Sequence, residues 1–224
     1  MTIGKFLGRF AAVVALFGLY TLAEGISIAP TIVTHGQAGP VVVAVVFAVA
    51  FGGLVYLLAS VYRYFLRFER PQPYGPRRLD KQVVRFMVGM VIALAVTQTL
   101  NALGLLLHWT QEASNQEYLA KLLQQAPLAM VLVAVVGAPA VEELLFRGLL
   151  MHSFPHQDQP RWVWLSGSVS AVVFGLAHAS LSEPFALLVY TAMGAVFAAT
   201  YAYTKDIRYS IALHFLNNFV ALFL

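Results

Sequence analysis

"VVVAVVFAVAFGGLVYLLASVY", residues 41–62, carries no charged side chain from end to end. The run is longer than the ~9–11 residues of a membrane β-strand and falls within the ~17–25 residues of a helix that crosses a bilayer. Lipid offers no partner to backbone N–H and C=O groups, so such a run must bond internally, as a helix. Comparable runs lie near 6–23, 83–107, 127–153, 162–179, 184–203 and 207–224. The expected fold is therefore all-α, a polytopic membrane helix bundle of about seven transmembrane helices in a single membrane domain spanning 1–224. Within it, 1–120 holds variable N-terminal helices and a basic linker, and 125–224 holds a core that carries the polar motifs.

Composition agrees. Of 224 residues 60% are hydrophobic and 11% charged, and the mean hydropathy is +0.76, beyond the range of a soluble domain. The chain has no cysteine, which excludes disulfides, thiolate metal sites and a cysteine nucleophile. The net charge of +4 is not arrayed along one face, so no nucleic-acid partner is expected. The lipid bilayer is the expected partner, and the oligomeric state is not legible.

The basic residues instead gather between apolar runs. "RYFLRFERPQPYGPRRLDKQVVR", residues 63–85, holds Arg63, Arg67, Arg70, Arg77, Arg78, Lys81 and Arg85, whereas 24–40 holds no Lys or Arg. The positive-inside rule puts the linker and the N-terminus on the cytoplasmic side. In a bacterial host that means the plasma or inner membrane. Pro71, Pro73, Gly75 and Pro76 make this linker a loop. Lys5, Arg9 and "TLAEG" also allow a signal peptide in the first run, but the cleavage signal is poorly formed and a retained helix is expected. Trp162, Trp164, Tyr201 and Tyr203 read as interface anchors. Gly194 and Ala198, four apart, predict a close helix contact.

Ionisable side chains inside these runs are costly and point to function. In "APAVEELLFRGLL", residues 138–150, Glu143 and Arg147 are four apart and share a face. Glu142 sits about 100° around the helix and is left to face something else. Pro139 removes a donor and frees the carbonyl of Val135. "FGLAH" puts Phe174 and His178 on one face, and "HFLNN" does the same for His214 and Asn218. A carboxylate, two imidazoles and an amide on three helices suit acid–base chemistry with oxyanion stabilisation. Glu142, His178 and His214 also have the makeup of a two-His, one-carboxylate metal site, with zinc the natural candidate, although no HExxH helix is present. His35, His108, His152 and His156 fall in or beside loops and read as solvated.

"EELLFR", "FGLAH" and "HFLNN", in that order over successive late helices, resemble the CPBP family of intramembrane proteases, which includes the type II CAAX prenyl endopeptidases. The resemblance covers roughly 125–224, making this segment the protease core. It implies an endopeptidase acting on a membrane-embedded or membrane-proximal protein or peptide. Glu142 with His178 would activate water, Glu143 and Arg147 would support it, His214 and Asn218 would hold the oxyanion, and Phe174 would shape the pocket. It further implies a glutamate-dependent reaction, with no cofactor favoured over a divalent metal. An inactive family member serving as scaffold or immunity factor, and a proton-coupled small transporter, are the competing classes. Straight upright helices would keep Glu142, His178 and His214 apart, so tilts or kinks at Pro139, Gly175 or Pro184 are expected.

Overall fold

The computed structural model describes residues 3–68 and 74–223. Among them the chain is all-helical: α1 (Ile3–Val33), α2 (Pro40–Arg67), α3 (Lys81–Leu106) and a short α4 (Ser114–Gln125) lead into α5 (Pro127–Ser153), followed by α6 (Pro160–His178), α7 (Pro184–Thr204) and α8 (Ile207–Ala221). Helices α1, α2, α3, α5 and α7 are long and apolar enough to cross a membrane. The protein is an integral membrane helical bundle.

Proline and acidic residues set many helix starts. Pro40, Pro127, Pro160 and Pro184 all stand in first turns, where a missing amide hydrogen costs nothing. Pro184 thus starts α7 and does not kink a span. Asp80 caps α3 by accepting from the amides of Gln82 and Val83, both at 2.8 Å.

The central element is α5. Its apolar window is 67% buried, against 22% or less for α1, α2 and α3, and every residue from Val141 to Ser153 is buried. Helices α1, α2, α6 and α8 surround it. The first three helices leave rows of large apolar side chains on the outside, among them Leu22, Val49 and Ile92, the surface that lipid covers. On the other flank α6 and α7 pack tightly. A Cβ on Gly194 would come within 2.9 Å of the Ala171 carbonyl oxygen, and one on Gly175 would collide with the Thr191 hydroxyl. Ala198 is buried in the same contact, 3.8 Å from where a Gly167 Cβ would stand, as the spacing of small residues predicts.

Several expectations need correction. The first helix runs ten residues past the expected end at 23, so Glu24 lies on a helix and the connection shrinks to 34–39. Arg63 and Arg67 belong to α2, because nothing breaks the helix before them. Arg70, Pro71 and Pro73 lie outside the described residues, whereas Gly75 and Pro76 are non-helical and the Gly75 amide bonds the Lys205 carbonyl at 2.8 Å. His35, His108 and His156 are exposed in left-handed turns, but His152 is fully buried. Its Nε2 lies 2.6 Å from the Tyr201 hydroxyl, and its ring meets those of Tyr62 and Tyr74 edge-on. Tyr201 is likewise buried, 2.7 Å from the Tyr62 hydroxyl, and is no interface anchor. Its polar tip finds partners inside the bundle, which removes the reason to seek the interface. Trp164 and Tyr203 remain exposed.

Candidate active site

The backbone of α5 departs from α-helical geometry on both sides of the acidic pair. Leu132–Gly137 and Leu144–Leu150 are π-helical, and Ala138–Glu143 is a short α segment between them. The Ala138 amide bonds the carbonyl five residues back, that of Val133. In the same pattern Pro139 would bond Ala134, but it has no hydrogen to give. The Ala134 carbonyl is thereby left for another donor, and the Asn218 side chain satisfies it, Nδ2 donating at 2.9 Å. π-turns of this kind are rare and recur at functional sites.

Glu143 is fully buried and its Oε1 accepts from two directions, from Arg147 Nη1 at 2.9 Å and from His214 Nδ1 at 3.0 Å. Arg147, also fully buried, donates through Nη2 to the Gly194 carbonyl at 2.7 Å and lies over the Phe174 ring, 4.8 Å from its centroid. The pair therefore joins α5, α7 and α8, and fixes the orientation of the His214 ring.

Glu142 faces elsewhere, as the helical wheel requires. Its Oε1 accepts from the hydroxyl of Tyr20 on α1 at 2.7 Å. Its Oε2 is buried and has no hydrogen-bond partner among the described residues. Two imidazole nitrogens stand near that oxygen, His178 Nε2 at 3.5 Å and His214 Nε2 at 3.9 Å. The tautomers follow from the other nitrogens. His178 Nδ1 lies 2.8 Å from the Phe174 carbonyl, which can only accept, so Nδ1 carries the hydrogen and neutral His178 presents a lone pair at Nε2. His214 likewise gives its Nδ1 hydrogen to Glu143.

Aromatic rings hold both imidazoles. Phe174 stacks on His178 at 4.3 Å and meets His214 edge-on at 5.7 Å. Tyr190 covers the other side of His178 at 5.0 Å, and Phe197 stacks on His214 at 4.4 Å.

Glu142, Glu143, Arg147, Phe174, His178 and His214 thus come together, with His178 at the end of α6 and His214 mid-way along α8. Asn218 is one turn beyond His214 and bonds the α5 backbone, and its Oδ1 accepts from Asn217 at 3.1 Å. Asn217 in turn accepts from Gln98 of α3 at 3.1 Å. Among the described residues no cluster of three or more His, Asp or Glu is found arranged to hold a metal ion. Sequence reasoning missed Tyr20, Tyr190 and Phe197. Tyr190 and Phe197 look like ordinary apolar-helix aromatics, but Tyr20 and Glu24, co-facial on α1, were a legible polar pair.

Residues 124–220 match the family described as Type II CAAX prenyl endopeptidase Rce1-like. The chain is similar to the putative membrane peptidase YdiL of Bacillus subtilis, 34% identical over 108 residues, which cover 48% of this chain and 41% of that protein. It is also similar to the membrane-embedded CAAX protease MroQ of Staphylococcus aureus, 28% identical over 139 residues, 60% of this chain and 51% of that protein. The chain thus spans about half the length of these relatives, or less. No solved structure matches it at comparable stringency.

Proposed function

We propose, from the match of residues 124–220 to the Rce1-like family, that this chain is an intramembrane endopeptidase that hydrolyses a peptide bond of a membrane-embedded or membrane-proximal protein or peptide. One observation carries the reading. A buried carboxylate oxygen, Glu142 Oε2, has no hydrogen-bond partner among the described residues and faces two imidazole nitrogens, a set of groups suited to hold and deprotonate a water.

In this mechanism a water donates one hydrogen to Glu142 Oε2 and is oriented by the Nε2 lone pair of His178. As its oxygen attacks the peptide carbonyl carbon, its proton passes to Glu142 and the carbonyl oxygen becomes an oxyanion. The C–N bond then breaks as the oxyanion re-forms the carbonyl and the proton held by Glu142 passes to the departing nitrogen. His214 donates to the oxyanion when it carries a second proton at Nε2. Asn218 Nδ2 has a second hydrogen, unbonded among the described residues, to place beside it. Preorganised donors of this kind are worth roughly 3–4 kcal/mol each in acyl transfer. In this reading the residues act without a metal, and cleavage is expected to persist after chelation. The arginine-rich segment faces the cytoplasm in this reading.

The test compares peptide termini in membranes of cells carrying the parent protein or Glu142→Ala at matched abundance. Termini that vanish with the variant support proteolysis and reveal the substrate. If no terminus changes while the variant is folded and abundant, the scaffold and transport classes replace it.

A further inference from the structure

The geometry points to Tyr20 of α1 as a positioning residue that aims Glu142 at its water, which makes the N-terminal helix part of the catalytic apparatus and not only a wall of the bundle. The inference rests on the protease reading above and extends it to a region outside residues 124–220.

A glutamate carboxylate turns easily about its last torsion, so a buried Glu142 held only by its stem would present either oxygen in many directions. The Tyr20 hydroxyl, 2.7 Å from Oε1, pins one oxygen and thereby sets where Oε2 points. Tyr20 is itself immobilised. It is 5% exposed, and its ring is met edge-on by Phe17 at 6.0 Å and by Phe51 at 6.2 Å. Phe51 in turn lies where a side chain on Gly137 would be, at the first π-turn of α5. A continuous set of contacts thus runs from the irregular backbone of α5 through α2 and α1 and back to the carboxylate of α5. The face of α1 that does this is continuous, with Val13, Leu16, Tyr20, Ala23 and Ser27 buried at helical spacing. Displacing a reacting group by about 1 Å costs on the order of a hundredfold in rate, and a hydrogen bond to a charged group is worth roughly ten- to a hundredfold.

Other groups also face or adjoin Glu142: Glu24 beside Tyr20 on α1, Arg147 and Glu143 on α5, His178 on α6, Tyr190 on α7 and His214 on α8. Among the described residues, only Tyr20 hydrogen-bonds the carboxylate.

The experiment uses the full chain in detergent or liposomes and a synthetic peptide spanning a Glu142-dependent cleavage site. Tyr20→Phe, and Tyr20→Met as a second variant, are expected to lower kcat about tenfold or more, with KM within about twofold, in a chain that still unfolds cooperatively well above the assay temperature. A double-mutant cycle separates positioning from packing. In a Glu142→Asp background the shorter side chain does not reach the phenol, so adding Tyr20→Phe should change kcat by less than about twofold. A kcat for Tyr20→Phe within twofold of the parent, or an equal loss in both backgrounds, overturns the positioning role and leaves proteolysis standing. Parent-like cleavage by Glu142→Ala instead overturns the protease reading, and this inference with it.

Discussion

Arg147 is the side chain on which the buried electrostatics turn. It and Glu143 are both fully buried in an apolar bundle, where removing one partner leaves a charge without compensation and typically costs ~3–5 kcal/mol. Arg147→Ala is therefore expected to lower the unfolding midpoint sharply, as read by thermal unfolding in detergent. Replacing the pair together, as Glu143→Leu with Arg147→Met, should recover most of that loss, because apolar residues of similar volume carry no desolvation penalty. Equal instability of the single and double variants would show that the pair holds the bundle through shape and not through charge. The i,i+4 spacing makes this ion pair legible in the sequence, since both residues lie on one helix. Its links to His214 and to the Gly194 carbonyl are not legible there, because they join positions 71 and 47 residues apart.

In α5 the decisive feature is a missing donor. Pro139 leaves the Ala134 carbonyl without its π-helical partner, and Asn218 takes that place from α8. Asn218→Ala should strand a half-buried acceptor at a cost of about 1 kcal/mol. Adding Pro139→Ala supplies the absent amide hydrogen, so the double variant should regain stability by thermal unfolding. No recovery would mean that the carbonyl is satisfied in another way. The sequence announced a break at Pro139, but not that a side chain of α8 would reach the Ala134 carbonyl beside it. Local propensity does not distinguish a π-turn from an α-turn, and the choice is made by what packs around α5. The ends of α3, α5, α6 and α7 were in contrast readable to within a few residues from apolar run length.

Across the molecule, Glu183 ties distant parts of the chain together outside the spans. Its carboxylate accepts from the Ser114 hydroxyl at 2.6 Å and amide at 2.7 Å, and from the Ser180 amide at 3.0 Å. The Ser114 bonds, and then those of Ser180, hold its pKa down to about 2 from an ordinary 4.5. A folded-state value below the unfolded one means that the clip contributes fully above about pH 4.5 and is lost as pH falls through about 2. Hydrogen exchange at the Ser114 and Ser180 amides should accelerate over that window in the parent, and should be fast and independent of pH-linked protonation in Glu183→Ala. Protection that persists in Glu183→Ala would overturn the assignment. Apolar run length, the absence of cysteine and the clustering of Arg and Lys determined from the sequence alone that this is a multi-pass helical membrane protein, and three short motifs identified its candidate catalytic side chains. Both are local or compositional properties. Only the tertiary structure decided which nitrogen faces which oxygen, that His152 and Tyr201 are buried, and that α1 supplies Tyr20 to Glu142, 122 residues away. Those outcomes depend on packing between helices whose order in the chain carries no record of their distance in space.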